Sequence, residues 1–156
     1  MKKATLSLLL LAIVIFACKK ESTTSTKTPV EYLKAHKWAG VSVTINPAND
    51  WFKNGKKITD IYAASEECGK DDIIGFSSDT TFYSLGGALK CDSYEKDTLE
   101  KDKYFISSDL KYITRDYFFV PSLIKEISDT KVVFETTFIN PDDKIQYVLT
   151  ETYKAK

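Results

Sequence analysis

From residue 72 onward the chain consists of short stretches in which apolar and polar side chains alternate, and this pattern constrains the fold more than any other feature. Alternation with a period of two is typical of a β-strand with one buried face. Turn residues separate the stretches at close intervals, and no long helical periodicity follows residue 36. The sequence therefore predicts an all-β protein whose consecutive strands form hairpins.

Eight strands are predicted in neighbour-to-neighbour order, over residues 38–45, 73–77, 81–85, 99–107, 111–115, 117–127, 132–139 and 145–153. Gly40 breaks the phase between Trp38 and Val41, which predicts a β-bulge. Pro121 predicts an edge or a bulge within the sixth strand. Eight antiparallel strands favour an up-and-down barrel, which has no free sheet edges and can hold one small ligand. A two-sheet sandwich is the alternative.

Two further segments precede the hairpins. Thr28 and Pro29 suit the N-cap and the first position of a short helix. The connection from Asn46 to Asp71 is long for a loop between two strands. Because it carries several large apolar side chains, we expect it to pack over the barrel mouth as a lid.

The start of the chain has the features of an export signal. Residues 1–3 are basic, and residues 6–17 are apolar but fewer than the roughly 20 needed to span a bilayer core. The stretch Ile15-Phe16-Ala17-Cys18 resembles the lipobox of bacterial lipoproteins, with Phe16 a bulky residue before the small Ala17. The resemblance implies cleavage before Cys18 and a lipid on its sulfur, and two or three acyl chains anchor a protein stably. The alternative is a secreted protein with an incidental Cys18.

The predicted organisation has three parts: a signal peptide over residues 1–17, a lipidated cysteine with a flexible tether over residues 18–29, and a barrel domain over residues 30–156. The stretch from Glu21 to Thr28 is rich in Ser and Thr and has no apolar group to bury. Removal of Lys2 and Lys3 with the signal leaves 20 basic and 22 acidic side chains. This near-neutral balance does not favour a nucleic-acid partner.

Two cysteines remain once Cys18 is assigned to the lipid. Cys68 and Cys91 form an even pair, which in an oxidising compartment favours one disulfide bond. A thiolate metal site is the alternative, but it would require more Cys or His nearby, and His36 is the only histidine.

Several motifs resemble the small lipocalin-like lipoproteins of Bacteroidetes. They are Lys37-Trp38, Asp60-Ile61-Tyr62-Ala63, Cys68 to Ile73, Phe76 to Phe82, Lys90-Cys91-Asp92 and Glu151 to Lys154. The resemblance covers roughly Leu33 to Lys154. It implies an eight-stranded lipocalin-type barrel with a Cys68–Cys91 disulfide, and no established reaction. His36 stands where lipocalins usually have the glycine of their Gly-x-Trp motif, so the closed end is expected to be built differently.

The sequence carries no recognisable catalytic motif. A Ser–His or Cys–His mechanism would have to use His36, and no nucleotide-binding fingerprint is present. The adjacent carboxylates at residues 66–67, 71–72 and 142–143 do not fit the spacing of an EF-hand. We therefore predict a protein without enzymatic activity, cofactor or metal.

Aromatic side chains are the candidate ligand contacts. If the long connection covers the mouth, a pocket would be enclosed by Trp51, Phe52, Tyr62, Phe76, Tyr83, Phe119 and Tyr147. The alternative is that these rings simply fill a small barrel.

The functional hypothesis is a membrane-anchored extracytoplasmic protein that binds a small apolar or amphipathic ligand. We expect it to be anchored in the outer membrane, facing the periplasm, with exposure at the cell surface as the alternative. The alternative is a protein-interaction module with a filled barrel.

Overall fold

The computed structural model describes residues 27–115 and 119–156. Within these ranges the chain forms three short helices and nine strands, in the order α1 (Pro29–Ala35), β1 (Trp38–Asn49), β2 (Ile58–Asp60), α2 (Ile61–Ala64), α3 (Glu67–Lys70), β3 (Ile73–Phe76), β4 (Thr81–Leu85), β5 (Thr98–Ile106), β6 (Tyr112–Arg115), β7 (Ser122–Ile127), β8 (Lys131–Ile139) and β9 (Gln146–Ala155). None of the helices in these ranges is long and apolar enough to cross a membrane.

Eight of the strands close into an up-and-down barrel, as predicted. Strands β3 to β8 each pair antiparallel with the next strand in the chain, and β1 pairs with both β3 and β9. Strand β2 is additional and pairs with β1 alone. The closed circuit of pairings excludes the two-sheet sandwich.

Helix α1 closes one end of the barrel. Thr28 and Glu31 form a capping box at its start, in which each side chain bonds to the other's backbone N–H. Leu33 is fully buried at the barrel floor, and the indole N–H of Trp38 donates to the Leu33 carbonyl oxygen over 3.0 Å. His36, in place of the lipocalin glycine, contacts Trp38 edge-on at 5.5 Å.

The half of the barrel next to α1 is filled by its own side chains. The rings of Phe76, Phe82, Tyr104 and Phe134 meet at 5.3 to 6.5 Å in tilted and edge-on contacts. The same cluster includes the buried residues Leu33, Trp38, Ile74, Ile113, Val132 and Tyr153. Side-chain packing thus explains the high aromatic content in this half without a ligand.

The predicted bulge at Gly40 is confirmed. The register between β1 and β9 shifts between Gly40 and Ser42, so Val41 is the extra residue and is 44% exposed. The sequence pattern placed Val41 on the buried face, and the bulge turns it outward. Near Pro121 the predicted strand is shorter than expected, because β7 begins only at Ser122 and residues 116–118 lie outside the described ranges.

Three hairpin turns lie at the same end as α1, those joining β3 to β4, β5 to β6, and β7 to β8. Each contains a Ser-Asp dipeptide, at residues 78–79, 108–109 and 128–129. In the first two turns the residue after the Asp has a positive φ, 63° at Thr80 and 59° at Leu110. The turn from β8 to β9 lies at the opposite end, which is the open mouth of the barrel.

The long connection after β1 is a lid over the mouth only in part: Trp51 lines the mouth, whereas β2 and α2 lie in the barrel wall. Strand β1 pairs with β3 only at Trp38 and Ala39, which leaves a gap in the barrel wall above these residues. Strand β2 and helix α2 fill this gap. The Tyr62 hydroxyl donates to the carbonyl oxygens of Gly40, at 3.1 Å, and Lys70, at 3.3 Å.

The Cys68–Cys91 disulfide is present, as expected. It joins α3 to the connection between β4 and β5, with the two Cα atoms 5.2 Å apart. Asp72 and Asp71 accept hydrogen bonds from the backbone N–H groups of Gly87 and Leu89, each at 2.9 Å. The bridge and these bonds together fix the connection against the barrel.

We predict that replacing both Cys68 and Cys91 by Ala lowers the free energy of unfolding by roughly 3 kcal/mol, because the bridge closes a loop of about 24 residues in the unfolded chain. Urea denaturation of the two proteins measures the difference. Wild-type protein under a reductant is the control and should match the variant. An unchanged denaturation midpoint would contradict the prediction.

Candidate ligand site at the barrel mouth

A mostly apolar cavity of about 260 Å³ opens at the barrel mouth. Its walls are formed by Trp51, Val120, Thr136, Phe138, Ile139 and Leu149. Since a heavy atom in a liquid occupies about 30 Å³, the cavity holds roughly nine of them. It is large enough for a short apolar group, or for the end of a longer ligand that extends out of the mouth.

Two neighbouring strands form most of the cavity wall. Thr136 and Phe138 lie at inward positions of β8, opposite Leu149 and Tyr147 of β9. The Phe138 and Tyr147 rings stack at 5.7 Å, and the Tyr147 hydroxyl donates to Asp143 over 2.7 Å. This hydrogen bond lowers the pKa of Asp143 and raises the pKa of Tyr147. Asp143 in the turn between β8 and β9 therefore fixes the Tyr147 ring, and the Phe138 ring stacks against it.

A buried polar layer lies two residue pairs deeper than the Thr136–Leu149 pair, at the next inward-facing pair, Phe134 and Glu151. Arg115 and Glu151 form an ion pair whose side chains are only 3% and 8% exposed. The Tyr153 hydroxyl also donates to Glu151, over 2.7 Å. The Arg115 guanidinium lies 5.2 Å from the centre of the Phe134 ring, a cation–π contact. The Ser122 and Thr136 hydroxyl groups are hydrogen-bonded at 2.7 Å.

Arg115 stays positively charged within the ion pair. Burial is the largest single influence and lowers the pKa of Arg115, but the charge of Glu151 and the interactions with Tyr153, including hydrogen bonds to both residues, together outweigh it and raise this pKa above its ordinary value. Burial, with the same negative charge, raises the pKa of Tyr153. Arg115 therefore stays cationic and Tyr153 stays a hydrogen-bond donor at neutral pH.

A second carboxylate on the inner face lacks such support. Glu100 on β5 pairs with Ser84, on the same face of the sheet as Phe82 and Asp102. Burial raises the pKa of Glu100, and the charge of Asp102 raises it further. Its Oε1 atom is buried, and no donor among the described residues reaches it. The barrel interior thus holds a carboxyl group that is easier to protonate than an ordinary glutamate.

Of the seven predicted ligand contacts, Trp51 alone lines the cavity. The adjacent Phe52 is 45% exposed and lies outside the cavity wall. Tyr147 is buried behind Phe138 and supports the wall without lining it. Phe76 lies in the filled half of the barrel.

The remaining three predicted contacts do not line the mouth cavity. Tyr62 closes the gap between β1 and β3. Tyr83 lies on the outer face of the sheet, where its ring covers Gly75 so closely that a Cβ atom there would be 2.2 Å from it. The inward orientation expected for Tyr83 is therefore wrong, because the neighbouring Phe82 occupies the inward position. Phe119 is 82% exposed.

Five lining residues and the ion pair were not among the predicted site residues. The lining residues are Val120, Thr136, Phe138, Ile139 and Leu149. Thr136, Phe138 and Leu149 share the alternation that marks the inward faces of β8 and β9, so the signal was present. Glu151 interrupts the apolar alternation of Tyr147, Leu149 and Tyr153, and this interruption was the available sign of a buried charge.

The described residues contain one cluster with the spacing of metal ligands, formed by Glu66, Cys68 and Cys91. Both sulfur atoms belong to the disulfide, so neither is a thiolate ligand. The cluster is accounted for by the bridge.

The fold and cavity define a small up-and-down β-barrel with an apolar pocket at its mouth. No family model matches the chain, and no curated protein is significantly similar to it. The resemblance to lipocalin-like lipoproteins stays a prediction based on the motifs quoted above.

We predict that Arg115→Met destabilises the protein by about 3–5 kcal/mol, because it leaves the Glu151 carboxylate buried without its cation. The double variant Arg115→Met/Glu151→Gln removes both charges and keeps an acceptor for Tyr153, so it should lose much less. Chemical denaturation of both variants measures the difference. Equal losses in the two proteins would show that packing, and not the unpaired charge, causes the effect.

Glu100→Gln tests the raised pKa of the inner carboxyl group. A raised folded-state pKa means that the folded protein loses stability as pH rises through the carboxyl titration. The variant should therefore unfold at a higher temperature than wild type at pH 7. The gain should disappear below about pH 4, where the unfolded-state carboxyl is also protonated. A gain that is the same at both pH values would contradict the assignment.

Proposed function

We propose that this protein is a lipid-anchored extracytoplasmic binding protein that holds one small apolar or amphipathic ligand in its barrel mouth and does not transform it. The observation that carries the proposal is the apolar cavity of about 260 Å³ beneath Trp51. Few polar groups around an apolar cavity are typical of small-molecule binding sites.

The cavity dimensions define the ligand class. Room for roughly nine heavy atoms fits a short alkyl chain or one ring system, or the end of a longer molecule. Each buried methylene contributes about 0.8 kcal/mol, or about fourfold in affinity. Binding is therefore driven by burial of apolar surface until the cavity is full.

One polar group in the wall supports an amphipathic ligand. Thr136 lines the cavity, and its hydroxyl is already bonded to Ser122. A hydroxyl has one donor and two acceptor sites, so this pair retains capacity for a ligand oxygen or nitrogen. Such a bond would orient a ligand whose apolar part contacts Phe138 and Leu149.

The cellular location in the proposal comes from the sequence. The basic start, the apolar run over residues 6–17 and Cys18 support export, cleavage and lipid attachment. We place the protein in the outer membrane, facing the periplasm. Intact-mass analysis of protein from the cell envelope tests this part, and an unmodified Cys18 would refute it.

A titration with straight-chain fatty acids of increasing length tests ligand binding. By isothermal calorimetry we expect affinity to rise about fourfold per methylene and to level off at roughly nine heavy atoms. The variant Trp51→Ser should bind about tenfold more weakly, since it removes the indole from the cavity wall.

Phe52→Ser is the matched control for the titration. Its side chain is adjacent in sequence and exposed, but it is outside the cavity wall, so its affinity should equal that of wild type. No heat of binding across the whole series, or equal losses in the two variants, would reject the mouth cavity as the ligand site.

A protein-interaction module is the second candidate. Phe119 and Ile139, at 82% and 63% exposure, place apolar surface beside the cavity and would suit a protein partner. Native mass spectrometry of the protein isolated from membranes separates the two candidates. A small-molecule adduct supports the first, and a stoichiometric protein partner without an adduct supports the second.

A further inference from the structure

The closed end of the barrel is also the end at which the chain enters. The Lys27 ammonium pairs with Asp129 in the β7–β8 turn, and Thr28 caps α1 directly afterwards. Cys18, the proposed lipid attachment site, lies nine residues before Lys27. Nine residues reach at most about 32 Å even when fully extended. A lipid at Cys18 therefore keeps the closed end within this distance of the bilayer.

The mouth cavity lies at the far end from this attachment. Strand β9 runs from Gln146 near the mouth to Ala155 near α1, over 10 residues. At about 3.3 Å per residue and a tilt of about 40°, the two ends are about 25 Å apart along the barrel axis. Attachment at the closed end thus places the mouth on the side away from the membrane.

The β5–β6 hairpin presents apolar surface at the closed end. Phe105, Leu110 and Tyr112 are 57%, 40% and 42% exposed. A groove of about 380 Å³ lies beside Phe105 and Tyr112 on the outside of the barrel. We call these three side chains the hairpin patch. The patch lies about two strand spacings, or about 10 Å, from the β7–β8 turn that holds Lys27.

Three exposed lysines lie on the same hairpin as the hairpin patch. Lys101 and Lys103 lie at exposed positions of β5, and Lys111 lies in the turn. Lys103 donates to the Asp79 backbone carbonyl at 3.1 Å, and Lys111 is 3.8 Å from Asp109. Aromatic rings beside lysines suit the boundary between lipid headgroups and acyl chains.

We infer that the hairpin patch docks on the surface of the membrane that holds the lipid anchor, and that the mouth therefore opens away from this membrane. The inference rests on the lipid attachment in the proposed function. The short tether favours the bilayer over a diffusing partner, because it keeps the patch near the bilayer at a high effective concentration. A ligand then enters from the aqueous side and does not pass directly out of the anchoring bilayer.

Tryptophan quenching in vesicles tests this orientation. The lipidated protein is reconstituted into phosphatidylcholine–phosphatidylglycerol vesicles whose acyl chains carry bromine. Wild type reports the mouth through Trp51, Trp51→Phe leaves only the buried Trp38, and Trp51→Phe/Leu110→Trp reports the hairpin patch. The emission from position 110 should fall by about half, since docked rings lie roughly 5–10 Å below the surface. The Trp51 emission should not change.

A pair of further substitutions tests the contact itself. In the position-110 reporter, Phe105→Ser/Tyr112→Ser should abolish most of the quenching. Leu99→Ser, on the same outer face of β5 but nearer the mouth, is the matched control and should not affect it. The midpoint of thermal unfolding of each variant confirms that it is folded.

Each result decides the inference. No quenching at position 110 above the Trp38 background, or stronger quenching at Trp51, would overturn it. Quenching that depends on protein concentration, with a dimer in native mass spectra, would assign the patch to a second copy of the chain. Intact mass of the same sample shows the lipid, and the fatty-acid titration is independent, so failure of the orientation is distinguishable from failure of the proposed function.

Discussion

The structure depends on the backbone ladder between its first and last strands. Strand β1 pairs with β9 from Trp38 to Asn46, whereas it pairs with β3 at only two residues. The β1–β9 ladder removes the two edges that a linear meander would expose. It also assigns the other edge of β1 to two partners, with β3 beside its start and β2 beside its end. Strand β2, which lies in the long connection after β1, thereby becomes part of the barrel wall.

A buried ion pair divides the barrel interior into a lower and an upper half. Below the Arg115–Glu151 pair, aromatic side chains and α1 fill the barrel, and above it the wall encloses a cavity. A buried ion pair contributes little net stability, but it is costly to break because either partner alone would be an uncompensated charge. The pair therefore acts as a fixed polar layer that separates the packed floor from the space at the mouth. This division limits a ligand to the upper half.

The sequence was sufficient for the strands and insufficient for the site. Alternation identified all eight barrel strands, and the Gly40 phase break located the bulge. Alternation shows which residues share a face but not which face is inside, so Tyr83 was placed inward in the position that Phe82 occupies. Alternation does not indicate when a charged side chain is buried, so the Arg115–Glu151 pair was not predicted. The gap between β1 and β3 arises only when the barrel closes, so no local pattern predicted that Tyr62 fills it.

The boundary between β1 and β3 is held mainly by side chains. Beyond Ala39, the Tyr62 hydroxyl and its two carbonyl partners take the place of ladder bonds. Opening such a boundary breaks a few contacts, whereas separating β8 from β9 breaks a nine-residue ladder. The β1–β3 boundary, like the β6–β7 boundary with its two paired residues, is therefore easier to open than the β8–β9 boundary. A rigid cylinder would admit molecules only through its rim, whereas a barrel with such boundaries could also widen there. Exchange of the proposed ligand would then not require the whole domain to unfold.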